Sequence, residues 1–233
     1  MPMDHIEVIY FHKDQISCDV DAMVHTLTPQ EFERHERLAF PHLKRDWILS
    51  RGGLRILLGN ILAQDPASLH FEKNRYSKPR LKGSELQFNV SHSGDYIVYA
   101  FTQHRELGID IEKTTPNFAS HRLATRYFSE AECQSLNNLT EKEFSRAFYA
   151  IWSRKEAYIK AIGMGLSADL KAFSVDHQSS RQSFESPTLC MEALHLAEGY
   201  ASAICYHGET QLPITIRKLT SLAAPMLRTA SLT

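Results

Sequence analysis

Leu86-Gln87-Phe88-Asn89-Val90-Ser91-His92, Tyr96-Ile97-Val98-Tyr99-Ala100-Phe101-Thr102 and Glu106-Leu107-Gly108-Ile109-Asp110-Ile111 follow one another closely in the chain. Rich in β-branched and aromatic residues, and separated by Ser93-Gly94-Asp95 and by a short polar turn around His104, they read as three successive strands. Upstream, residues 5–12 alternate apolar and polar positions as a first strand. Two helices follow it. Thr28 before Pro29 and Glu31 is an N-cap for a helix ending near Phe40-Pro41, and Trp47, Ile48, Leu54, Ile56, Leu57, Leu58, Ile61 and Leu62 mark a second helix over 42–64. Gly52-Gly53 weaken the second. Residues 72–84, broken by Pro79 and Gly83, read as a surface loop whose charges Lys73, Arg75, Lys78, Arg80 and Lys82 are nearly all positive.

Downstream, helices resume after Pro116. Ser129 with Glu132 and Thr140 with Glu143 form capping boxes, the second opening a long helix to about Ile162 that Gly163-Met164-Gly165 stops. Strands return near 172–175, 200–206 and 214–219, with a Ser-rich loop around 178–186. The chain is therefore read as α+β. Residues 94–101 echo 198–205 in pattern, which suits two related α+β halves, although short strands often resemble one another by chance.

At 233 residues the chain fits one large domain or two small fused halves. Lys+Arg 26 against Asp+Glu 27 leaves a net charge of −1, so no global basic field exists for nucleic acid or an anionic membrane. Any anion site must be local. Hydrophobic content of 43% with 23% charged residues is a globular balance, and the apolar stretches are too short to cross a bilayer. Met1 to Tyr10 carries Asp4, His5 and Glu7 where a secretory signal would be basic and then apolar, so a cytoplasmic place is expected. Cys18, Cys133, Cys190 and Cys205 make no CxxC pair and read as buried free thiols.

Asp110 and Glu112, two apart on a strand, project from one face. Two carboxylates that close want a cation, and magnesium accepts one or two carboxylates with water and phosphate oxygens, although a solvent-facing strand end would look the same. On the long helix, Ser153, Glu156 and Lys160 lie along a face beside the apolar stripe of Phe144, Phe148, Ile151, Trp152, Ile159 and Ile162. Glu156 and Lys160 make either an ordinary surface pair contributing about 0.3–0.5 kcal/mol or a third metal ligand with a phosphate-holding lysine. Asn89-Val90-Ser91-His92-Ser93-Gly94 ends a strand in a tight polar turn able to hold an anion. No GxSxG elbow surrounds Ser91 or Ser93 and no acid stands ready to orient His92, which disfavours nucleophilic hydrolysis. Walker A, GxGxxG and HExxH patterns are absent too.

Taken in order, Lys78-Pro79, Phe88-Asn89-Val90-Ser91-His92-Ser93, Gly108-Ile109-Asp110-Ile111-Glu112-Lys113, Phe128-Ser129 with Glu132, and Trp152-Ser153-Arg154-Lys155-Glu156-Ala157-Tyr158-Ile159-Lys160-Ala161-Ile162-Gly163-Met164-Gly165-Leu166 resemble the surfactin-type 4′-phosphopantetheinyl transferases. The likeness runs from Lys78 to Leu166, with a weaker extension at Arg51 and Leu54-Arg55. Ser77 departs from it, standing where the family usually has Gly before Lys-Pro.

The resemblance implies an enzyme that moves the phosphopantetheine arm of coenzyme A onto a serine of an apo acyl or peptidyl carrier protein and releases adenosine 3′,5′-bisphosphate. It implies two pseudo-symmetric α+β halves, 1–104 and 105–233, with the active site in the cleft between them. By similarity Asp110, Glu112 and Glu156 hold Mg2+, with Mn2+ an acceptable substitute, and Lys160 contacts the pyrophosphate. Ser91 and His92 meet the coenzyme A phosphates, while Lys78, Arg75 and Arg51 reach the adenosine end. His92 and Lys160 add to charge stabilisation, and Glu156 or Glu132 serves as base. A fused two-half chain is expected to be a monomer acting on fatty-acid, polyketide or nonribosomal-peptide carriers, without nucleic acid or membrane. The competing classes are a non-catalytic coenzyme A or carrier-binding module, and a different magnesium-dependent enzyme on a nucleotide pyrophosphate, such as a hydrolase.

Overall fold

A computed structural model describes residues 4–115 and 118–223. They gather into two compact units, 4–10 with 72–217 and 11–71 with 218–223. The chain enters through β1 (Ile6–His12) and β2 (Ser17–Cys18) and then forms α1 (Val20–Val24), α2 (Pro29–Glu36) and α3 (Pro41–Leu62). Thr28 and Glu31 complete the capping box that opens α2. That helix stops at Glu36, short of the expected Phe40, because Phe40 precedes a proline and is held extended, where it becomes the N-cap of α3. In α3 Gly52 has a packing reason: a Cβ there would lie 3.2 Å from the Cβ of Met23 in α1. The close helix contact offsets the poor helix propensity of glycine.

Arg55, 1% exposed, donates to Glu31 at 2.7 Å and to the carbonyls of Pro66 and Leu69 at 2.7 and 3.1 Å. Arg51 shares the same carboxylate and lies 4.1 Å over the ring of Phe71. Burial alone would push the Glu31 carboxyl up, but the two arginines and the Thr28 N–H hold it below the ordinary glutamate value.

The larger unit continues with β3 (Phe71–Lys73), β4 (Pro79–Leu81), β5 (Leu86–Ser93), β6 (Tyr96–Gln103) and β7 (Leu107–Lys113). After these come α4 (His121–Tyr127), α5 (Glu130–Ser135) and α6 (Glu141–Ile162), then β8 (Arg181–Glu185), β9 (Thr188–Leu194), β10 (Tyr200–His207) and β11 (Ile214–Lys218). A short β12 (Ser221–Leu222) pairs in parallel with β2 in the smaller unit. Two four-stranded sheets dominate, ordered β11-β1-β6-β5 and β7-β10-β9-β8. The α+β reading holds. The echoing segments at 94–101 and 198–205 become β6 and β10, each an interior strand of its own sheet and each led in by a glycine at positive φ.

Alternation along the strands sorts the side chains into two cores. Ile6, Val8, Val98, Ala100, Leu107, Ile109, Ile111, Ile204 and Tyr206 fill one of them, between the sheets. The opposite face of β10, through Ala203 and Cys205, packs with Phe144, Phe148, Ile151, Ala157 and Tyr158 of α6 and with Phe128, which follows α4. All four cysteines are free.

Three stretches differ from expectation. Residues 72–84 form the β3–β4 hairpin and not a loop, because Asn74 accepts from the N–H groups of Tyr76 and Lys78 and closes a tight turn that composition alone reads as coil. Residues 178–186 hold β8, an edge strand half-buried on one face and exposed on the other, whose polar outer face disguises it. Its partner β9 is buried on both faces and lacks alternation, so no strand was expected there. The strand expected at 172–175 is absent; a 3-10 turn at Leu170–Ala172 precedes extended chain. Pro116 lies outside the described residues, and the first helix after it is α4.

Two glycine-related positions give predictions. A Cβ on Gly108 would stand 2.2 Å from the Ala157 carbonyl and 2.3 Å from the Ala161 nitrogen, so α6 lies directly on the backbone of β7. Gly108→Ala should destabilise the chain by about 1–3 kcal/mol, the usual cost of overpacking, measured by chemical denaturation. Ser77 sits at φ +70, the left-handed region that glycine occupies freely. Ser77→Gly should raise stability by about 1 kcal/mol in the same assay.

Candidate active site

Strands β5 and β7 are edges of different sheets. Side chains join them. From alternate positions of β5, Asn89 accepts from the Ile109 N–H at 2.9 Å, Ser91 donates to Asp110 Oδ1 at 2.8 Å, and Ser93 donates to Glu112 Oε2 at 2.9 Å. Ser93 also accepts from the Lys113 N–H at 3.0 Å. On the other side, the missing Cβ of Gly108 lets α6 bring Glu156 and Lys160 against the same strand. Lys160 Nζ lies 2.6 Å from Asp110 Oδ1, 3.0 Å from Ser91 Oγ and 3.3 Å from the Ile109 carbonyl.

Asp110 is 2% exposed, and its Oδ2 is buried with no hydrogen-bond partner. An orphaned carboxylate oxygen of this kind needs an explanation. Burial pushes the Glu112 carboxyl up, the Asp110 charge adds to this, and the Ser93 hydrogen bond pulls the other way. Glu156 is also pushed up, chiefly by burial, with Lys160 opposing and Asp110 reinforcing. Three carboxylates thus face a single ammonium, an excess of negative charge that a divalent cation with oxygen ligands would neutralise. Among the described residues no group of three or more His, Cys, Asp or Glu side chains is arranged so as to hold a metal ion. In this conformation Lys160 and Ser91 occupy Asp110 Oδ1, and Ser93 occupies Glu112 Oε2. Such a set fits a magnesium ion that fills its remaining positions with water and phosphate oxygens.

The other expected site residues lie apart from this cluster. The pleat turns His92 to the opposite face of β5 from Ser91 and Ser93, where it is exposed. Glu132 is 2% exposed, and its oxygens accept from the N–H groups of Ser129 at 2.7 Å and Val175 at 2.8 Å and pair with Lys155 at 2.8 Å. Its partners include none of the cluster. Lys78 Nζ donates to Glu106 at 2.7 Å and to the Leu107 and Ala161 carbonyls at 3.0 and 3.3 Å, which occupies all three ammonium hydrogens in this conformation. Arg75 is exposed at the hairpin turn, 4.6 Å over the ring of Tyr76. Arg51 belongs to the other unit, held by Glu31.

Sequence reasoning missed Asn89 and Ser93 as parts of the site. The signal was available, since Asn89, Ser91 and Ser93 are polar residues at i, i+2 and i+4 of an otherwise apolar strand. It also missed the buried Lys155, which ties Glu132 to α6 and donates to the Leu170 and Phe173 carbonyls.

Comparison with known proteins identifies the family. The family described as "4'-phosphopantetheinyl transferase superfamily" matches residues 106–210, and "4'-phosphopantetheinyl transferase, N-terminal" matches residues 14–104. The chain is 32% identical over 168 residues to 4'-phosphopantetheinyl transferase HetI of Nostoc sp., covering 70% of this chain and 71% of that one. It is 36% identical over 166 residues to 4'-phosphopantetheinyl transferase Sfp of Bacillus subtilis, covering 65% and 73%. To the L-aminoadipate-semialdehyde dehydrogenase-phosphopantetheinyl transferase of Xenopus laevis it is 35% identical over 156 residues, covering 60% and 51%. The chain belongs to the 4′-phosphopantetheinyl transferase superfamily, and its reaction is the transfer of phosphopantetheine to a carrier protein.

Proposed function

We propose that the transfer runs on coenzyme A with magnesium, takes place at the cluster of Asp110, Glu112, Glu156 and Lys160, and releases adenosine 3′,5′-bisphosphate. The observation that carries this reading is the buried, unpartnered Oδ2 of Asp110 inside a group of three carboxylates and one lysine. The serine oxygen of the carrier forms a bond to phosphorus as the pyrophosphate P–O bond breaks, and the serine proton passes to a base. Asp110, Glu112 and Glu156 would hold the magnesium ion, which when bound would neutralise charge on the phosphate oxygens. Manganese, also a hard cation, can replace it.

Lys160 and Ser91 already point donors at one place, so a pyrophosphate oxygen arriving there exchanges one set of hydrogen bonds for another. For the base we favour Glu156, whose carboxylate stands in the cluster beside Asp110 and Lys160 where the transfer is proposed. Glu132 would have to abandon its capping box and Lys155. Coenzyme A phosphates would meet Ser91 and Lys160, with His92 left to the opposite face of β5, and the adenosine end would meet the exposed Arg75 and, once it leaves Glu106, Lys78. The division into halves 1–104 and 105–233 is supported by family matches that change over between 104 and 106. A chain carrying both halves is proposed to act as a monomer in the cytoplasm on acyl or peptidyl carriers. No helix among the described residues is long and apolar enough to cross a membrane.

A non-catalytic binding module would be expected to have lost part of the carboxylate and lysine set, and here the set is intact. A pyrophosphate hydrolase would consume coenzyme A without an acceptor. Intact-protein mass spectrometry of apo carrier proteins incubated with the enzyme, coenzyme A and magnesium should show a gain of one phosphopantetheine that a chelator prevents. Asp110→Ala should abolish that gain while leaving the circular dichroism spectrum unchanged; an active Asp110→Ala would overturn the metal assignment. Glu156→Gln should also lose turnover, yet its metal-free melting temperature should rise, because the neutral side chain removes the burial cost that lifts the Glu156 carboxyl.

A further inference from the structure

We infer that Ser93 is a positioning residue: its hydroxyl fixes the Glu112 carboxylate in the orientation from which it ligates the metal, an inference that rests on the metal reading above. Because Ser93 Oγ accepts the Lys113 N–H at 3.0 Å, its own hydrogen is directed to Glu112 Oε2 at 2.9 Å. The two acceptor carboxylates on β7 are not equally held. Asp110 has both Ser91 and Lys160, whereas among the described residues Ser93 is the side-chain hydrogen-bond partner of Glu112. A glutamate has one more rotatable bond than an aspartate, so the less tethered ligand is also the longer one. Removing its tether returns that freedom, which metal binding must then take away.

Ser93 itself is fixed from the next turn. Asp95 Oδ2 accepts from Lys113 Nζ at 2.8 Å and from the Tyr200 hydroxyl at 3.0 Å, and that hydroxyl accepts from the Asp95 N–H at 3.0 Å. Between them Gly94 sits at φ +52, where a Cβ would lie 2.4 Å from Lys113 Cδ and 2.6 Å from the Tyr200 oxygen. The turn is thus clasped to β7 and β10 immediately beside Ser93. Hydrogen-bond partners that orient metal ligands typically change affinity or activity about 10- to 100-fold when removed.

The test measures Mn2+ binding by electron paramagnetic resonance to the chain saturated with coenzyme A and without carrier, alongside Mg2+ titrations of turnover. Ser93→Ala should weaken Mn2+ binding about tenfold and raise half-saturating Mg2+ by a similar factor, with a much smaller fall in kcat. Ser93→Thr, which keeps the hydroxyl, should restore both. Coenzyme A affinity without metal should match the wild type in both variants. If Ser93→Ala binds Mn2+ as the wild type does, or lowers kcat with no change in half-saturating Mg2+, the inference is wrong and the metal site stands. If the wild type binds no Mn2+ with coenzyme A present, the metal reading itself falls. Should Ser93→Ala fail to fold, Ser93→Cys, of similar size and with a weaker donor, must show the same loss of metal affinity or the inference is overturned.

Discussion

An aspartate with almost no exposure to water survives in a protein interior only when its charge is compensated, and at Asp110 the compensation is Lys160 at 2.6 Å. That pairing depends on how near α6 can come to β7. Gly108 sets the distance by omitting a side chain where the two backbones meet. Glu156 arrives with Lys160 because residues four apart share a helix face, and Glu112 arrives with Asp110 because residues two apart share a strand face. One close backbone contact therefore assembles four charged groups from two elements.

The assembly is deliberately unbalanced. Other buried carboxylates are fully compensated: Glu31 is shared by Arg51 and Arg55, and Glu132 meets Lys155 while accepting two backbone N–H groups. At the cluster the acids outnumber the lysine and one oxygen has no partner. Such an arrangement is held at a cost in stability by the packing around it. Phe148 stacking on Trp152, and Phe128 against Phe148, secure the helix that carries Glu156 and Lys160.

Much of this was legible in the sequence. The N-cap at Thr28 and the capping boxes at Ser129 and Thr140 are all formed, and the glycine stop at Gly163 is in the left-handed conformation that ends α6. Asp110, Glu112, Glu156, Lys160 and Ser91 were singled out, and they meet in one place. What was hidden is instructive. Strand β9 lacks alternation because both of its faces are covered, and β8 is disguised by serine and glutamine on an edge. Glu132 looked chemical because a motif glutamate carries no label for its partner; only the fold reveals that Lys155, one residue from Glu156, turns to a different side of the helix to meet it. The inward turn of Lys78 was equally unreadable, since Glu106 and the Ala161 carbonyl that receive it are distant in sequence.

The hydrogen bonds from β5 to β7 also bear on how the chain avoids its own kind. A strand at the border of a sheet presents unpaired amides that can recruit another strand and begin aggregation. On β7 the N–H groups of Ile109 and Lys113 are consumed by Asn89 and Ser93. A regular backbone ladder would have consumed them too, but it would have fused the two sheets and left the carboxylates no gap. Polar side chains achieve the same protection while leaving the sheets separate, so the hydrogen bonds that position the carboxylates also guard a vulnerable border during and after folding.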